Sequence, residues 1–174
     1  MAQIASIKAR EILDSRCIPT LAGQLITKEG IIVHAKVPSG ESLGKHEGVE
    51  LRDKDPSRYV GMGVQQAMAI INESIAPMLV NVDTIRFQEI DEWLVKADGT
   101  NNFSKLGVNT LMIISQLVFK TNAAQNMIPP APFELRRVRL SALKIWALKV
   151  RIMVIRLPPN LDPPHRTLWS KSPR

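Results

Sequence analysis

At 174 residues, with 45% of them hydrophobic and 22% charged, the chain suits one domain with room for an appendage and excludes a protein disordered throughout. Its single cysteine, Cys17, rules out an intramolecular disulfide, and His34, His46 and His165 stand too far apart in sequence for a zinc-site spacing. The net charge of +7 suggests a nucleic-acid partner only until it is divided along the chain: residues 1–129 carry 13 Lys/Arg and 14 Asp/Glu, whereas residues 130–174 carry 10 and 2.

The first residues lack a basic stretch followed by a long apolar run, so no secretory signal is expected and a cytoplasmic, reducing compartment is. Residues 3–13 mix apolar and polar positions, with Ile7 and Ala9 alternating against Lys8 and Arg10, and predict a first strand. Asp14 to Pro19 is a connection, Thr20 to Thr27 a second strand, and Lys28-Glu29-Gly30 a hairpin turn in which glycine supplies the unusual backbone angle. Ile31, Val33, Ala35 and Val37 then alternate with Ile32, His34 and Lys36, the period of a half-buried strand. Together these segments predict a three-stranded antiparallel meander.

The next stretch, Pro38-Ser-Gly-Glu-Ser-Leu-Gly-Lys-His-Glu-Gly-Val-Glu-Leu-Arg-Asp53, is the one with chemistry in it. Gly40 and Gly44 bracket Ser42, so the backbone is free to take positive φ and to approach a ligand closely while a hydroxyl and amides point outward. That suits a lid over an anion or a metal; an ordinary polar loop has the same composition.

Beyond the loop the period lengthens. Val64, Met68, Ile71, Ile75 and Met78 recur at spacings of 4, 3, 4 and 3, which predicts an amphipathic helix with a methionine-bearing core face, stopped near Pro77. Asp83 is a good N-cap for a second helix through Ile90, Trp93 and Leu94 that Asp98-Gly99 ends, and a third runs from about Ser104 to about Asn126. The expected fold class is therefore α+β: the meander followed by three or more helices packed on one face of the sheet.

A composition boundary falls near residue 129, where Pro129, Pro130 and Pro132 coincide with the change of charge, and Pro158, Pro159, Pro163, Pro164 and Pro173 lie beyond it. This divides the chain into a domain over 1–129 and a basic, proline-rich tail over 130–174. Leu140 to Leu157 is apolar but broken by Lys144, Lys149, Arg151 and Arg156, too charged for a membrane span. It reads either as a basic amphipathic helix for an anionic membrane or for RNA or DNA phosphates, or as a segment without selected structure that carries an aggregation-prone run from Val150 to Leu157.

Several motifs in order carry a resemblance. Ile7-Lys-Ala-Arg-Glu-Ile-Leu-Asp-Ser-Arg16 with Pro19-Thr20, the loop Pro38-Ser-Gly-Glu-Ser-Leu-Gly44 with His46-Glu47 and Glu50-Leu-Arg-Asp53, then Tyr59-Val-Gly-Met-Gly-Val64, Ile75-Ala-Pro77, Asp98-Gly-Thr100 and Ser104-Lys-Leu-Gly-Val-Asn109 resemble the N-terminal domain of the enolases from residue 4 to about 129. The resemblance implies a lyase of glycolysis, phosphopyruvate hydratase, which removes water from 2-phosphoglycerate with two Mg²⁺ ions. It implies that Ser42, within the lid formed by Gly40, Glu41, Ser42, Leu43 and Gly44, ligates the second Mg²⁺ as the lid closes. The base, the acid and the carboxylates of the first metal belong to the family's C-terminal barrel. Such a barrel needs roughly 250 residues, whereas 45 follow Pro129; no TIM barrel and no catalytic residue are therefore expected in this chain, and no activity alone.

Departures from the family pattern accompany the match. Cys17 and Ile18 replace a Gly-Asn pair, Glu41 and Leu43 replace the alanine and threonine around the loop serine, and Ala22 and Gln24 stand at acidic positions. One of those acidic positions, with Arg10, resembles the family's subunit contact. The partners implied are a second copy or a complete enolase, with nucleic acid or anionic lipid as the alternative for the tail.

Overall fold

The computed structural model describes residues 2–40 and 48–126. Three strands, β1 (Ile4–Leu13), β2 (Pro19–Thr27) and β3 (Ile32–Lys36), form an antiparallel sheet in the order β1-β2-β3, as the alternating pattern predicts. The β2–β3 turn is closed by Gly30 at φ 84° and by the Thr27 hydroxyl, which accepts the Ile31 amide at 3.1 Å. In the β1–β2 connection, Asp14 gathers the amides of Arg16 (2.8 Å) and Ile18 (2.9 Å) on one carboxylate oxygen. Cys17 there has φ 60°, in the left-handed region that glycine takes freely and a side chain resists.

After the loop, residues 58–61 make a 3₁₀ turn (Tyr59–Gly61 as its body) in which Tyr59, Val60 and Gly61 all have positive φ. One continuous helix follows: α1 (Gln65–Ala69), a π-helical stretch (Ile70–Ile75) and α2 (Ala76–Leu79). A second 3₁₀ turn (Thr84–Arg86), capped by Asp83 through the Ile85 amide at 3.0 Å, leads into α3 (Phe87–Asp98), which Gly99 ends at φ 69°. The last element is α4 (Val108–Gln125).

Three sequence expectations are corrected. The first helix does not stop near Pro77 but continues to Leu79. Proline lacks the amide for an i→i−4 bond and crowds the carbonyl behind it, and the wider π turn, with the Ala76 amide on the Ile71 carbonyl, makes room for it. The π stretch also moves the buried stripe onto Ile71, Ile75, Ala76 and Leu79, leaving Met78 67% exposed instead of in the core; Met68 is half-buried against it. The third long helix starts at Val108, not near Ser104, because Phe103 and Gly107 hold positive φ, at 58° and 85°.

The helices cover one face of the sheet. α4 lies on β2 and β3, and α1 and α2 lie on β1. Gly23 in β2 permits this close approach, since a Cβ there would meet Leu117 at 2.8 Å and Ile113 at 3.0 Å. Leu21 and Leu25 from β2, Ile71 from the first helix, Leu94 from α3, and Leu111, Ile114 and Leu117 from α4 are fully buried together. Each such side chain contributes about 1.5–3 kcal/mol on leaving water. α4 is apolar on nearly every side because the sheet, α1 and α3 surround it.

Candidate functional site

The stretch from Pro38 to Asp53 leaves β3 at the end of the sheet where β1 finishes and β2 begins. Its outgoing limb is fixed through Ser39, which is buried. The Ser39 hydroxyl donates to Asp14 Oδ2 at 2.5 Å, and Arg16 Nη2 donates to Ser39 Oγ at 2.8 Å and to the Ser39 carbonyl at 3.3 Å. Foremost the Ser39 hydroxyl, then the Ile18 and Arg16 donors, hold the Asp14 carboxyl well below the usual carboxylate range, so this anchor is a charged one at neutral pH.

The returning limb is fixed by a second ion pair. Glu50 accepts the Gly40 amide at 2.9 Å on one oxygen and Arg52 Nη2 at 2.5 Å on the other. The second guanidinium nitrogen of Arg52 donates to the carbonyls of Pro19 (2.6 Å) and Met62 (2.7 Å), so one side chain ties the loop to the start of β2 and to the turn before α1. Gly48 packs where a Cβ would meet Phe103 at 3.0 Å and Val108 at 3.1 Å. Asn109 in α4 accepts the Leu51 amide at 3.0 Å and donates to the Leu51 carbonyl at 3.1 Å, standing in for a strand partner.

A third layer holds the start of α1. Asp53 accepts the amides of Gln65 (2.9 Å) and Gln66 (2.8 Å), and Glu11 accepts that of Val64 (2.7 Å), placing two carboxylates on the free amides of a helix N-terminus. Arg58 joins the two, donating to Glu11 at 2.7 Å and to Asp53 at 3.4 Å, and its pKa is raised chiefly by the Glu11 bond.

Of the residues singled out from sequence, Gly40 sits at the foot of the loop with its amide on Glu50. Glu41, Ser42, Leu43 and Gly44 lie outside the described residues, as does the whole tail from residue 130. Arg10 is not brought to this site: it is exposed on β1, opposite Ala22 of β2. Asp14, Ser39, Glu11 and Arg58 were not singled out, although their contacts build the stem. Their separations of 25 residues for Asp14 and Ser39, and 47 for Glu11 and Arg58, are invisible to any local period.

The order of elements and this stem are accompanied by a match over residues 4–131 to the family described as "Enolase, N-terminal domain". The chain belongs to the enolase family. It is 44% identical over 126 residues to the enolase of Ehrlichia canis (strain Jake), an alignment covering 72% of this chain and 30% of that protein. The chain thus matches about 30% of its relative's length.

Enolases imply Mg²⁺, and the described residues do not supply a site for it. Among them no group of three or more His, Cys, Asp or Glu side chains could hold a metal ion. The stem carboxylates of Asp14, Glu50, Asp53 and Glu11 are engaged by hydroxyl, guanidinium and amide donors. These contacts hold residues 39–40 and 48–53 against the end of the sheet and the start of α1.

Proposed function

We propose that this chain is the lid-bearing domain of an enolase-type lyase, serving the removal of water from 2-phosphoglycerate and inactive toward that substrate on its own. The observation that supports this most is the double anchoring of the loop. Asp14, Arg16 and Ser39 hold the residues before position 41 and Glu50 and Arg52 those after position 47, at one end of the sheet. An anchored loop serves positioning and exclusion of water, whereas proton transfer needs an acid and a base placed on the substrate. Ser42 is the loop's proposed Mg²⁺ ligand, acting where other groups complete the ligand set. Among the described residues no helix is long and apolar enough to cross a membrane, and the cytoplasm is the proposed location.

The test has two arms. Purified chain incubated with 2-phosphoglycerate and Mg²⁺ is expected to form no phosphoenolpyruvate, read by its ultraviolet absorbance; turnover would overturn the inactivity. Residues 1–129 substituted for the matching domain of the Ehrlichia canis enolase are expected to give an active chimera, from which Ser42→Ala removes about 100-fold in rate or more, the scale of one charge-stabilising contact. An unchanged rate would remove Ser42 from the site. A tight subunit contact through Arg10 is not expected, since its neighbour across the strand is Ala22 and the next position along β2 on that face is Gln24.

A further inference from the structure

The two edges of the sheet differ. The edge of β1 is closed at Ala9, whose amide and carbonyl both meet Asn72. The edge of β3 is open. The Thr27 amide donates to the Ile31 carbonyl and the Val37 amide to the Leu21 carbonyl, each at 3.0 Å. In an antiparallel ladder such pairs alternate, so Ile31, Val33, Ala35 and Val37 turn their backbone groups to β2 while Ile32, His34 and Lys36 turn theirs outward. All three outward residues are exposed, and their register with β2 is unbroken, so a regular row of donors and acceptors is on offer. Among the described residues no backbone group of another segment meets this row. Lys120 of α4 reaches it, with Nζ 3.4 Å from the His34 carbonyl, a long bond that an incoming amide can displace.

We infer that β3 takes up a further strand at this edge, an extended segment of a partner protein with carboxylates at alternate positions. The inference rests on the sheet alone and is independent of the lyase reading. The site is the backbone edge of β3, on the opposite side of the sheet from Arg10 in β1. Main-chain hydrogen bonds supply the attraction, and the side chains beside the edge choose the partner. Lys36 stands in the row next to the His34 imidazole, and Lys120 flanks it from α4. None of the three enters an ion pair among the described residues. A second copy pairing β3 with β3 would bring two such sets of cations together. The residues from 130 onward, with 10 Lys/Arg against 2 Asp/Glu, carry the same sign. An acidic strand meets neither objection. Side chains on one face of a sheet recur at every second residue, so alternate carboxylates would lie opposite His34 and Lys36.

The experiment is titration of the full chain with fluorescein-labelled Thr-Glu-Val-Glu-Val-Glu-Thr, blocked at its C-terminus and read by fluorescence anisotropy. Two further versions carry N-methyl groups, one on the glutamate amides and one on the amides between them. Alternate amides of an extended strand point to opposite sides, so each version blocks one edge of the peptide. One version is expected to lose at least about tenfold in affinity, the worth of several net hydrogen bonds, and the other to bind as the parent does. Lys36→Glu is expected to weaken the parent peptide about tenfold, by turning a cross-strand attraction into a repulsion. His34→Pro removes an outward amide while leaving the bonds to β2 in place, and is expected to cost about fivefold. Lys96→Glu, on α3, is expected to change nothing. If a variant fails to fold, the pair of N-methylated peptides decides the matter on the unaltered chain. Equal binding of that pair would overturn the inference, because attraction by charge alone is blind to the peptide backbone. So would equal losses in Lys36→Glu and Lys96→Glu, or no binding of the parent peptide. Self-association of the chain that His34→Pro abolishes, with the peptide ignored, would overturn it in favour of a second copy at this edge.

Discussion

Asp91 lies in α3 only 2% exposed, with Ser115 of α4 against it, and its Oδ1 has no hydrogen-bond partner among the described residues. Burial pushes its carboxyl up to about 6, against the smaller opposite pull of the Ser115 bond. A carboxyl whose folded pKa exceeds its unfolded value keeps its proton in the folded state while the unfolded chain releases it. Stability is then undiminished below about pH 4, falls as pH rises from about 4 to 6, and stays low above that. Asp91→Asn keeps a partner for Ser115 without the buried charge, so it is expected to stabilise the domain at pH 8 by up to about 3 kcal/mol and to flatten the slope between pH 4 and 6. Urea midpoints of both proteins at pH 4 and pH 8 check this; a variant no more stable at pH 8 would contradict it. Cys17 is one of the residues held in a backbone conformation that a side chain resists. Its left-handed backbone costs about 1–2 kcal/mol that glycine escapes, partly offset by the greater freedom of an unfolded glycine. Cys17→Gly is expected to raise the thermal midpoint by about 2–4 °C, and a lower midpoint would show that the cysteine side chain makes a compensating contact.

Among elements, the exposed edge of β1 is closed by a side chain. Asn72, in the π stretch, accepts the Ala9 amide at 2.8 Å and returns its own N–H to the Ala9 carbonyl at 3.0 Å, as a neighbouring strand would. Asn72→Ala leaves both backbone groups of a buried residue unpartnered and is expected to cost about 2 kcal/mol, read as a lower urea midpoint with faster hydrogen exchange at Ala9. Loss of stability without the local change at Ala9 would point to the π turn itself. Asn72 also marks where sequence reading stops. The strands were legible because β1 and β3 each bury one side, and α3 because Asp83 and Gly99 are a cap and a left-handed stop. Met78 was misplaced because a π turn inserts a residue that no 3.6 period contains, and Ser104 because positive φ at Phe103 and Gly107 belongs to packing rather than composition. In the candidate site the loop was legible as the one glycine-rich stretch with hydroxyls, and its anchors were not. Ser39 finds Asp14, and Ala9 finds Asn72 from 63 residues away, only after the chain has folded.

At the scale of the molecule, the core closes early. Its buried apolar residues run from Ile4 to Val118, and the last turn of α4 is finished locally by the Asn126 amide on the Asn122 carbonyl and at long range by Gln125, which accepts the Ala2 amide at 3.2 Å. The Ala2 contact joins the end of the last helix to the start of the first strand. Residues 130–174, with their excess of positive charge and the apolar run from Val150 to Leu157, are then expected to add association and not stability. Ending the chain after residue 129 should leave the cooperative unfolding midpoint within about 2–4 °C of the full chain, the effect of 1 kcal/mol or less, while light scattering on heating falls. A midpoint lower by about 10 °C or more, several kcal/mol on the same scale, would mean that the tail packs on the domain. The apolar surfaces to suspect are then Met78, 67% exposed on the last turn of the first helix, and Ile85, 58% exposed in the 3₁₀ turn before α3.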